Sequence, residues 1–318
     1  MLKYIIKRLI NLIPVLIIIS VILFGLNEAM PGDPIDQLMP LNIESESQRE
    51  ELRRILTERY DLDGTLPERY VGWLGRIMDG EFGESTRYQR PVVEVLGQPL
   101  RNTLILNLGS TIIAFILSVI IGIKSAVRRG SFYDKFWQVF SLAGISLPTF
   151  FTGMLLIFTF AINLGWFPPG MMPMNNDIGT WVRHLVLPTI TITIGSLAST
   201  SRYVRNAMLN ALSQDYIRTA RAKGLSERNV IYSHAFRNAL IPVVTVVAWN
   251  IMSLLSGAAI TETLFAYNGI GKYFIDSILA RDYNVIMTLN MMYALITVFG
   301  NLLMDIGYSM VDPRVRLE

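Results

Sequence analysis

One short stretch of this sequence invites comparison with a nucleotide-binding loop. Gly269-Ile270-Gly271-Lys272 offers the Gly and Lys of a phosphate-binding turn. Such a loop needs a Gly, four further residues and then Gly-Lys-Ser/Thr, because backbone N–H groups and the Lys hold the phosphates. Ala266 stands in place of the first Gly, and Tyr273 in place of the hydroxyl residue. The stretch therefore predicts an ordinary glycine turn, and ATP hydrolysis is not expected in this chain.

Cysteine and histidine chemistry is restricted as well. The chain has no cysteine, which excludes disulfides, thiolate nucleophiles and Cys-ligated metal sites. Its two histidines, His184 and His234, are too few for a multi-histidine metal centre. We predict no catalytic residue, no cofactor and no metal site, and hence a protein that is not an enzyme.

The strongest local signal is the polar segment 213–224, which has the pattern of one short helix. Ser213 is placed to cap the first turn, and Asp215 complements the positive end of the helix dipole. Arg221 falls in the last turn, and Gly224 can take the left-handed conformation that ends a helix. About ten residues at about 1.5 Å each predict a helix ~15 Å long.

A helix this short is marginal on its own, so something must pack against it. Tyr216, Ile217 and Ala220 recur at helical spacing, flanked by Arg218 and Arg221. These residues predict a patch that fits a shallow groove on a partner protein lined with acidic and apolar groups. Because the loop is basic, an amphipathic helix on anionic lipid fits them equally well. The residues alone leave both interpretations open.

Composition indicates the environment of the chain that carries this helix. Of the 318 residues 52% are hydrophobic and 17% are charged, whereas soluble domains average about a quarter charged. The formal net charge of +3 is too small to indicate nucleic acid, and the Lys and Arg cluster in short loops. The chain is therefore predicted to lie in a membrane.

Crossing a ~30 Å hydrocarbon core takes roughly 20 apolar residues of helix. We expect an all-α membrane protein with six transmembrane helices at about 9–26, 103–123, 136–164, 185–201, 239–263 and 285–310. The first stretch has the basic start of a signal peptide. Its apolar run is too long, however, and no small-x-small cleavage site follows, so we expect it to stay as an anchor.

The positive charges predict the orientation. Lys and Arg in short loops resist translocation, and they concentrate at the N-terminal end, in 124–135, in 202–238 and at the C-terminal end. We therefore expect both termini to be cytoplasmic, in a multi-pass protein of the cell (inner) membrane.

One sizeable region is expected to face water. Residues 31–100 follow the first transmembrane helix at 1–30 and precede a core with five transmembrane helices at 101–318. Within this region 47–60 predicts a charged helix and 68–78 an amphipathic one, separated by Pro and Gly. We predict an extracytoplasmic helical cap, with a plain connector as the alternative.

A polar stripe on the fifth expected span is the candidate for substrate passage. Asn250, Ser253, Gly257 and Thr261 recur at helical spacing, with Glu262 at the outer end. The small residues among them are also typical of a seam that lets two helices approach closely. Both interpretations stay open.

The loop around the short helix resembles the cytoplasmic signature loop of binding-protein-dependent ABC importer permeases. That loop has Glu-Ala-Ala, three residues and Gly, followed downstream by an apolar pair and Pro. Ala220 matches the second Ala, Gly224 the Gly, and Leu-Ile-Pro at 240–242 the closing element. Arg218 and Thr219 replace the Glu and the first Ala, and the spacing from Gly to Pro is longer. Both departures are typical of the dipeptide/oligopeptide/nickel branch.

The resemblance to that branch extends along nearly the whole chain. Its motifs occur in order as Pro-Gly-Asp-Pro at 31–34, Asp-Gly-Glu-Phe-Gly at 79–83, Arg-Arg-Gly-Ser at 128–131, Ser-Leu-Pro-Thr-Phe at 146–150, Thr-Glu-Thr-Leu-Phe at 261–265, Gly-Ile-Gly at 269–271, Arg-Asp-Tyr at 281–283 and Asp-Pro-Arg at 312–314. The first motif and the six-helix layout resemble the first of two paralogous permeases.

The resemblance implies a permease that forms half of a translocation pathway for di- or oligopeptides. The implied partners are a paralogous second permease, two ATP-binding subunits that hold ATP and Mg, and an extracytoplasmic substrate-binding protein. In this family the short cytoplasmic helix docks in a cleft of an ATP-binding subunit. The residues expected to couple the chain to the ATPase are Tyr216, Ile217, Arg218, Ala220, Arg221 and Gly224.

Alternatives remain at two levels. Nickel chelates or oligosaccharides are alternative substrates within the same class. A proton-coupled secondary transporter would need charged residues inside several spans, where Asp305 alone is well placed. An intramembrane enzyme would need a catalytic constellation that the sequence lacks.

Overall fold

Helices dominate the chain wherever its structure is described. The computed structural model describes residues 2–29, 35, 39, 45–59, 63–173, 177–240, 254 and 258–311. Within these ranges the strand-like pairing is limited to an isolated bridge between Glu84 and Pro91. The prediction of an all-α protein is confirmed for this part of the chain.

The α-helices of the described residues are numbered here in chain order. They are α1 (Leu2–Glu28), α2 (Glu46–Arg59), α3 (Leu66–Met78), α4 (Val92–Val127), α5 (Phe132–Ser146), α6 (Thr149–Leu156), α7 (Ile178–Leu212), α8 (Asp215–Ala222), α9 (Glu227–Asn229), α10 (Ala259–Leu264), α11 (Ile270–Leu279) and α12 (Tyr283–Val311). Two π-helical segments are π1 (Ile157–Asn163) and π2 (Val230–Phe236).

Four helices in the described ranges are long and apolar enough to cross a membrane: Ile10–Glu28 of α1, all of α4 and α7, and Tyr283–Leu302 of α12. They coincide with the first, second, fourth and sixth predicted spans. The fifth, 239–263, lies largely outside the described residues. Helices α4 and α7 run well beyond the predicted apolar stretches, because helix formation continues into their polar ends.

The third predicted span, 136–164, is interrupted. Helix α5 ends at Ser146, α6 begins at Thr149, and their axes differ by 108°. Pro148 lacks an N–H group and its ring disfavours helical backbone at the preceding residue. Leu147 accordingly has extended backbone, with φ −79° and ψ 130°. Counting this bent pair as one span raises the number of candidate spans in the described ranges to five.

The chain divides into two compact units, residues 1–100 with 273–302 and residues 101–272 with 303–318. In the first unit, amphipathic α3 packs on α1. Arg69 forms a 2.6 Å ion pair with Glu28, and the hydroxyls of Tyr70 and Ser20 lie 2.8 Å apart. The predicted amphipathic helix is thus confirmed, as is the charged helix before it, which is α2.

Within this first unit, the Arg-Asp-Tyr motif meets the residues that follow the Asp-Gly-Glu-Phe-Gly motif. The carboxylate of Asp282, just before α12, is fully buried and accepts a hydrogen bond from the Ser85 hydroxyl. It also accepts the backbone N–H groups of Thr86 and Arg87, at 3.3 Å each. Asn284 donates from Nδ2 to the Glu84 carbonyl at 2.8 Å. These bonds fix the turn after α3 against the start of α12.

In the second unit, α7 is the central helix. Small residues let its neighbours approach closely: a Cβ on Gly122 of α4 would lie 2.7 Å from Val204, and one on Gly144 of α5 would lie 2.8 Å from Ala198. Substituting either glycine would therefore push a helix away from α7. The ends of α4 and α7 near residues 124–130 and 202–212 together carry the short helix α8, which is the candidate functional element.

Candidate functional site

Helix α8 begins one residue later than predicted. Its N-cap residue is Gln214, whose side chain makes no capping bond. Ser213 instead closes α7, as its backbone is helical at φ −86° and ψ −5° and its hydroxyl donates to the Asn210 carbonyl at 2.8 Å. The predicted cap at Ser213 was wrong, because an N-cap needs extended backbone and α7 continues to Leu212.

The end of α8 agrees with the prediction. Gly224 has φ +76°, the left-handed conformation, and its N–H donates to the Arg221 carbonyl at 2.9 Å. The N–H of Leu225 reaches back to the Ala220 carbonyl at 3.3 Å, which completes a Schellman motif. Ser226 caps the following helix as predicted, accepting the Asn229 N–H. Eight residues make α8 about 12 Å long.

One face of α8 is buried in the chain's own core. Ile217 is 0% exposed and Ala220 is 5% exposed. They belong to a cluster, here called the loop-helix core, that consists of Ile123, Ala126, Val204, Met208, Ala211, Ile217, Ala220, Val230, Ala235 and Ala239. The predicted surface patch of Tyr216, Ile217 and Ala220 does not form as a unit, because burying an Ile contributes about 1.5–3 kcal/mol and this chain supplies the burial itself.

The opposite face of α8 is open. Asp215, Arg218, Thr219 and Ala222 are exposed at positions that helical geometry places away from Ile217. Arg218 and Asp215 form a weak ion pair, 3.5 Å apart, which partly neutralises the charge of this side of the helix. We call these four residues the outward face of α8. Tyr216 and Arg221 lie at its two edges and are exposed. Of the six predicted coupling residues, Ile217 and Ala220 therefore face inward and Arg218 faces outward.

An ion pair ties α8 to α9 across the turn at Gly224. Arg221 donates from Nε to Oε1 of Glu227 at 2.7 Å and from a terminal nitrogen to Oε2 at 3.3 Å. This hydrogen-bonded pair lowers the pKa of Glu227 and raises the pKa of Arg221. Both side chains are about half exposed, so the pair contributes little stability but restricts the angle of the turn.

The loop-helix core connects α8 mechanically to the longer helices. Its members come from the end of α4, the end of α7, α8 itself, π2 and Ala239 just after π2. Packed interiors are dense and do not deform continuously. A displacement of α8 must therefore carry the ends of the two membrane helices with it.

A second anchor at this end of the molecule was not predicted. Asp134, 1% exposed, pairs with Arg205 of α7 through bonds of 2.6 Å to Nε and 2.8 Å to a terminal nitrogen. The backbone N–H of Gly130 donates to the same carboxylate at 2.9 Å. A local signal existed, since Ser131 is the N-cap of α5 and Asp134 lies in its first turn. Arg205, its partner, is 71 residues away in the sequence, and no local pattern indicated that the two would pair.

The predicted pathway residues are only partly described. Asn250, Ser253 and Gly257 lie outside the described residues. Thr261 and Glu262 are described and are buried, at 2% and 0% exposure. A role of these five residues in substrate passage stays a prediction.

Glu262 has an evident structural task. Its Oε1 accepts the Thr103 hydroxyl at 2.7 Å, and its Oε2 accepts the backbone N–H of Lys272 at 3.0 Å. The same Thr103 hydroxyl oxygen accepts the N–H of Ile270 at 2.8 Å. These N–H groups belong to the first turn of α11, so Thr103 and Glu262 together cap that helix. Gly269 packs directly on the Glu262 carboxylate, where a Cβ would clash.

Helices that can cross a membrane and a short loop helix anchored to their ends are the architecture of a membrane protein. The chain matches the family described as "Binding-protein-dependent transport system inner membrane component" over residues 98–317, and its N-terminal companion over residues 1–107. The chain belongs to this family and is a multi-pass protein of the cell membrane.

Relatives place it in the dipeptide/oligopeptide/nickel branch of ABC importer permeases. An oligopeptide transport system permease protein of Bacillus subtilis is 40% identical over 320 residues, covering 99% of this chain and 100% of the relative. A di/tripeptide transport system permease of Pseudomonas aeruginosa is 36% identical, covering 99% of each chain. A glutathione transport system permease of Escherichia coli is 36% identical, covering 100% of each.

Proposed function

We propose that this chain is one of two permease subunits of an ATP-driven importer and that the outward face of α8 docks on an ATP-binding subunit. The observation that carries the proposal is the two-sidedness of α8. Ile217 and Ala220 fasten the helix to the ends of α4 and α7, while Arg218 and Thr219 are displayed to the surroundings. A partner that pushes on the outward face would move membrane helices.

The coupling residues then have different tasks. Arg218 contacts the partner directly, and Tyr216 and Arg221 do so at the edges of the face. Ile217 and Ala220 transmit the movement inward without touching the partner. Gly224 ends the helix and sets the direction of the chain toward π2. Thr219, absent from the sequence-based set of coupling residues, joins Arg218 on the contact face.

The proposed substrate is a peptide. The relatives are named for oligopeptides, di/tripeptides and glutathione, and all of these are short peptides. A substrate-binding protein outside the membrane would select among them. Nickel chelates and oligosaccharides are the alternatives within the same class of importer.

The assembly that follows has a paralogous second permease beside this chain, two ATP-binding subunits below it and the binding protein above it. ATP and Mg belong to the ATP-binding subunits, and this chain holds no cofactor. Six transmembrane helices, with both termini in the cytoplasm, bring α8 to the side where ATP is available. Residues 31–100 then form the extracytoplasmic region, and the pathway runs between the two permeases past the stripe that ends at Thr261 and Glu262.

Measuring which energy source drives uptake tests this function. Vesicles that contain the assembled transporter and binding protein should accumulate a labelled dipeptide when ATP is supplied on the side of the ATP-binding subunits. An imposed proton gradient without ATP should drive no accumulation, and neither should a non-hydrolysable ATP analogue. Accumulation driven by the proton gradient alone would make the chain a proton-coupled transporter and overturn the proposal.

A further inference from the structure

A groove opens between the last turns of α4 and the segment π2. Its cavity measures about 330 Å³. Its walls are mainly apolar, with Ile120 and Val127 on α4 and Ile231 and Phe236 on π2. Ile120 is 55% exposed and Val127 is 44% exposed, so the groove is open to the surroundings of the helix.

Two cations border this groove at one end. Lys124 and Arg128 line it and are both exposed. They are four residues apart, so they project from the same side of α4. Among the described residues neither cation has an acidic partner. The ammonium of Lys124 instead lies 4.5 Å from the centre of the Tyr133 ring.

The position of the groove on α4 indicates how deep in the membrane it lies. The helix carries no charged residue from Thr103 to Ile123, and Lys124 and Arg128 begin its positively charged end. Long cationic side chains at such a helix end direct their charge to the headgroup level while apolar neighbours stay in the hydrocarbon. Apolar walls therefore extend into the membrane from a cationic rim.

We propose that this groove binds an anionic phospholipid, with an acyl chain along Ile120 and Ile231 and the phosphate between Lys124 and Arg128. Basic pockets between membrane helices recognise anionic headgroups by charge, and the apolar walls supply the contact for the chain. A soluble anion would use the rim alone and leave the apolar walls uncovered.

The occupant would also contact the loop-helix core. Ile123 belongs both to the groove and to that core, and Ile231 and Phe236 pack against it. A bound lipid would therefore support the same packing that holds α8. This inference does not depend on the docking of α8, because it needs only a membrane location.

Quenching by brominated lipid tests the site in the assembled transporter. In the variant Tyr232→Trp, the added indole lies at the groove. The chain already has five Trp, so the signal of the groove is the difference in quenching between this variant and the unchanged transporter. Brominated phosphatidylglycerol should quench it at far lower concentration than brominated phosphatidylcholine. Combining Lys124→Gln with Arg128→Gln should weaken the apparent affinity for phosphatidylglycerol roughly thirtyfold, about fivefold for each cation.

Arg129→Gln is the matched control, because Arg129 is an exposed neighbour that does not line the groove. It should leave the lipid preference intact, and inorganic phosphate should not reverse the quenching. Equal quenching by both lipids would overturn the proposal. So would an equal loss of affinity in Arg129→Gln, or the absence of quenching in the assembled transporter, where another subunit would then cover the groove.

Discussion

Replacing Thr219 by Trp should abolish ATP-driven uptake while leaving the chain folded. Thr219 lies on the outward face of α8, so the larger ring points away from the chain's own core. Surface substitutions of this kind usually change stability by no more than about 0.5 kcal/mol. The indole ring would hold the outward face of α8 away from the ATP-binding subunit and so remove central interface contacts. Each such contact is typically worth about 2 kcal/mol or more, so uptake should fall at least about thirtyfold. Uptake and the Tm of the purified complex are measured together.

Two further variants make this result interpretable. Thr219→Ser keeps the size of the face and should transport normally. Ala220→Asp, one residue further on, places a charge at a position that is 5% exposed and should lower stability by about 3 kcal/mol or more. Wild-type uptake by Thr219→Trp would show that the outward face of α8 does not dock on a partner.

Removing Asp134 should be the most damaging single change to stability outside the helix interiors. Asp134→Ala leaves the Arg205 guanidinium, 15% exposed, without its carboxylate and leaves the Gly130 N–H without its acceptor. Breaking one side of a buried ion pair typically costs about 3–5 kcal/mol. The free energy of unfolding, measured in detergent with a denaturant, should fall by that amount.

The neighbouring Lys135 supplies the control, since it is exposed and Lys135→Ala should cost no more than about 0.5 kcal/mol. The double variant Asp134→Leu with Arg205→Met should recover most of the loss, because it removes both charges and keeps apolar volume. A loss below about 1 kcal/mol in Asp134→Ala would contradict the view that this pair anchors α5 to α7.

The membrane helices could be predicted because length and hydropathy are local properties. Each of the four helices with an unbroken candidate span contains a predicted apolar stretch. The interruption of the third stretch had a visible cause in Pro148, but the size of the 108° bend also depends on how the helices on either side pack on α7. A hydropathy profile reads the helices on either side of Pro148 as one continuous span.

The limits of α8 were mostly predictable and its orientation was not. Gly224 and Ser226 end and restart the helix through local backbone rules, and the structure agrees with both. Ser213 failed as a cap because α7 extends to it. Periodicity places Ile217 and Ala220 on one side of the helix, but it cannot tell whether that side meets a partner or the same chain.

Contacts between residues far apart in the sequence account for what the sequence-based predictions missed. Glu262 is predicted to line a passage, which stays a prediction, and nothing in the sequence indicated that its carboxylate accepts a bond from Thr103, 159 residues away. The glycine at 269 that packs on this carboxylate was visible in the sequence, yet nothing nearby indicated what it packs against. Long-range hydrogen bonds of this kind have no periodic signature.

Cross-linking from α8 tests the coupling role most directly. The chain has no cysteine, so Thr219→Cys supplies a single thiol on the outward face and Ile217→Cys a single thiol on the inward face. With a thiol-to-amine cross-linker in the assembled transporter, Thr219→Cys should join to an ATP-binding subunit and Ile217→Cys should not. A transporter in which Thr219→Cys forms no such product, or in which the two variants behave alike, would contradict the assignment of α8 as the docking helix.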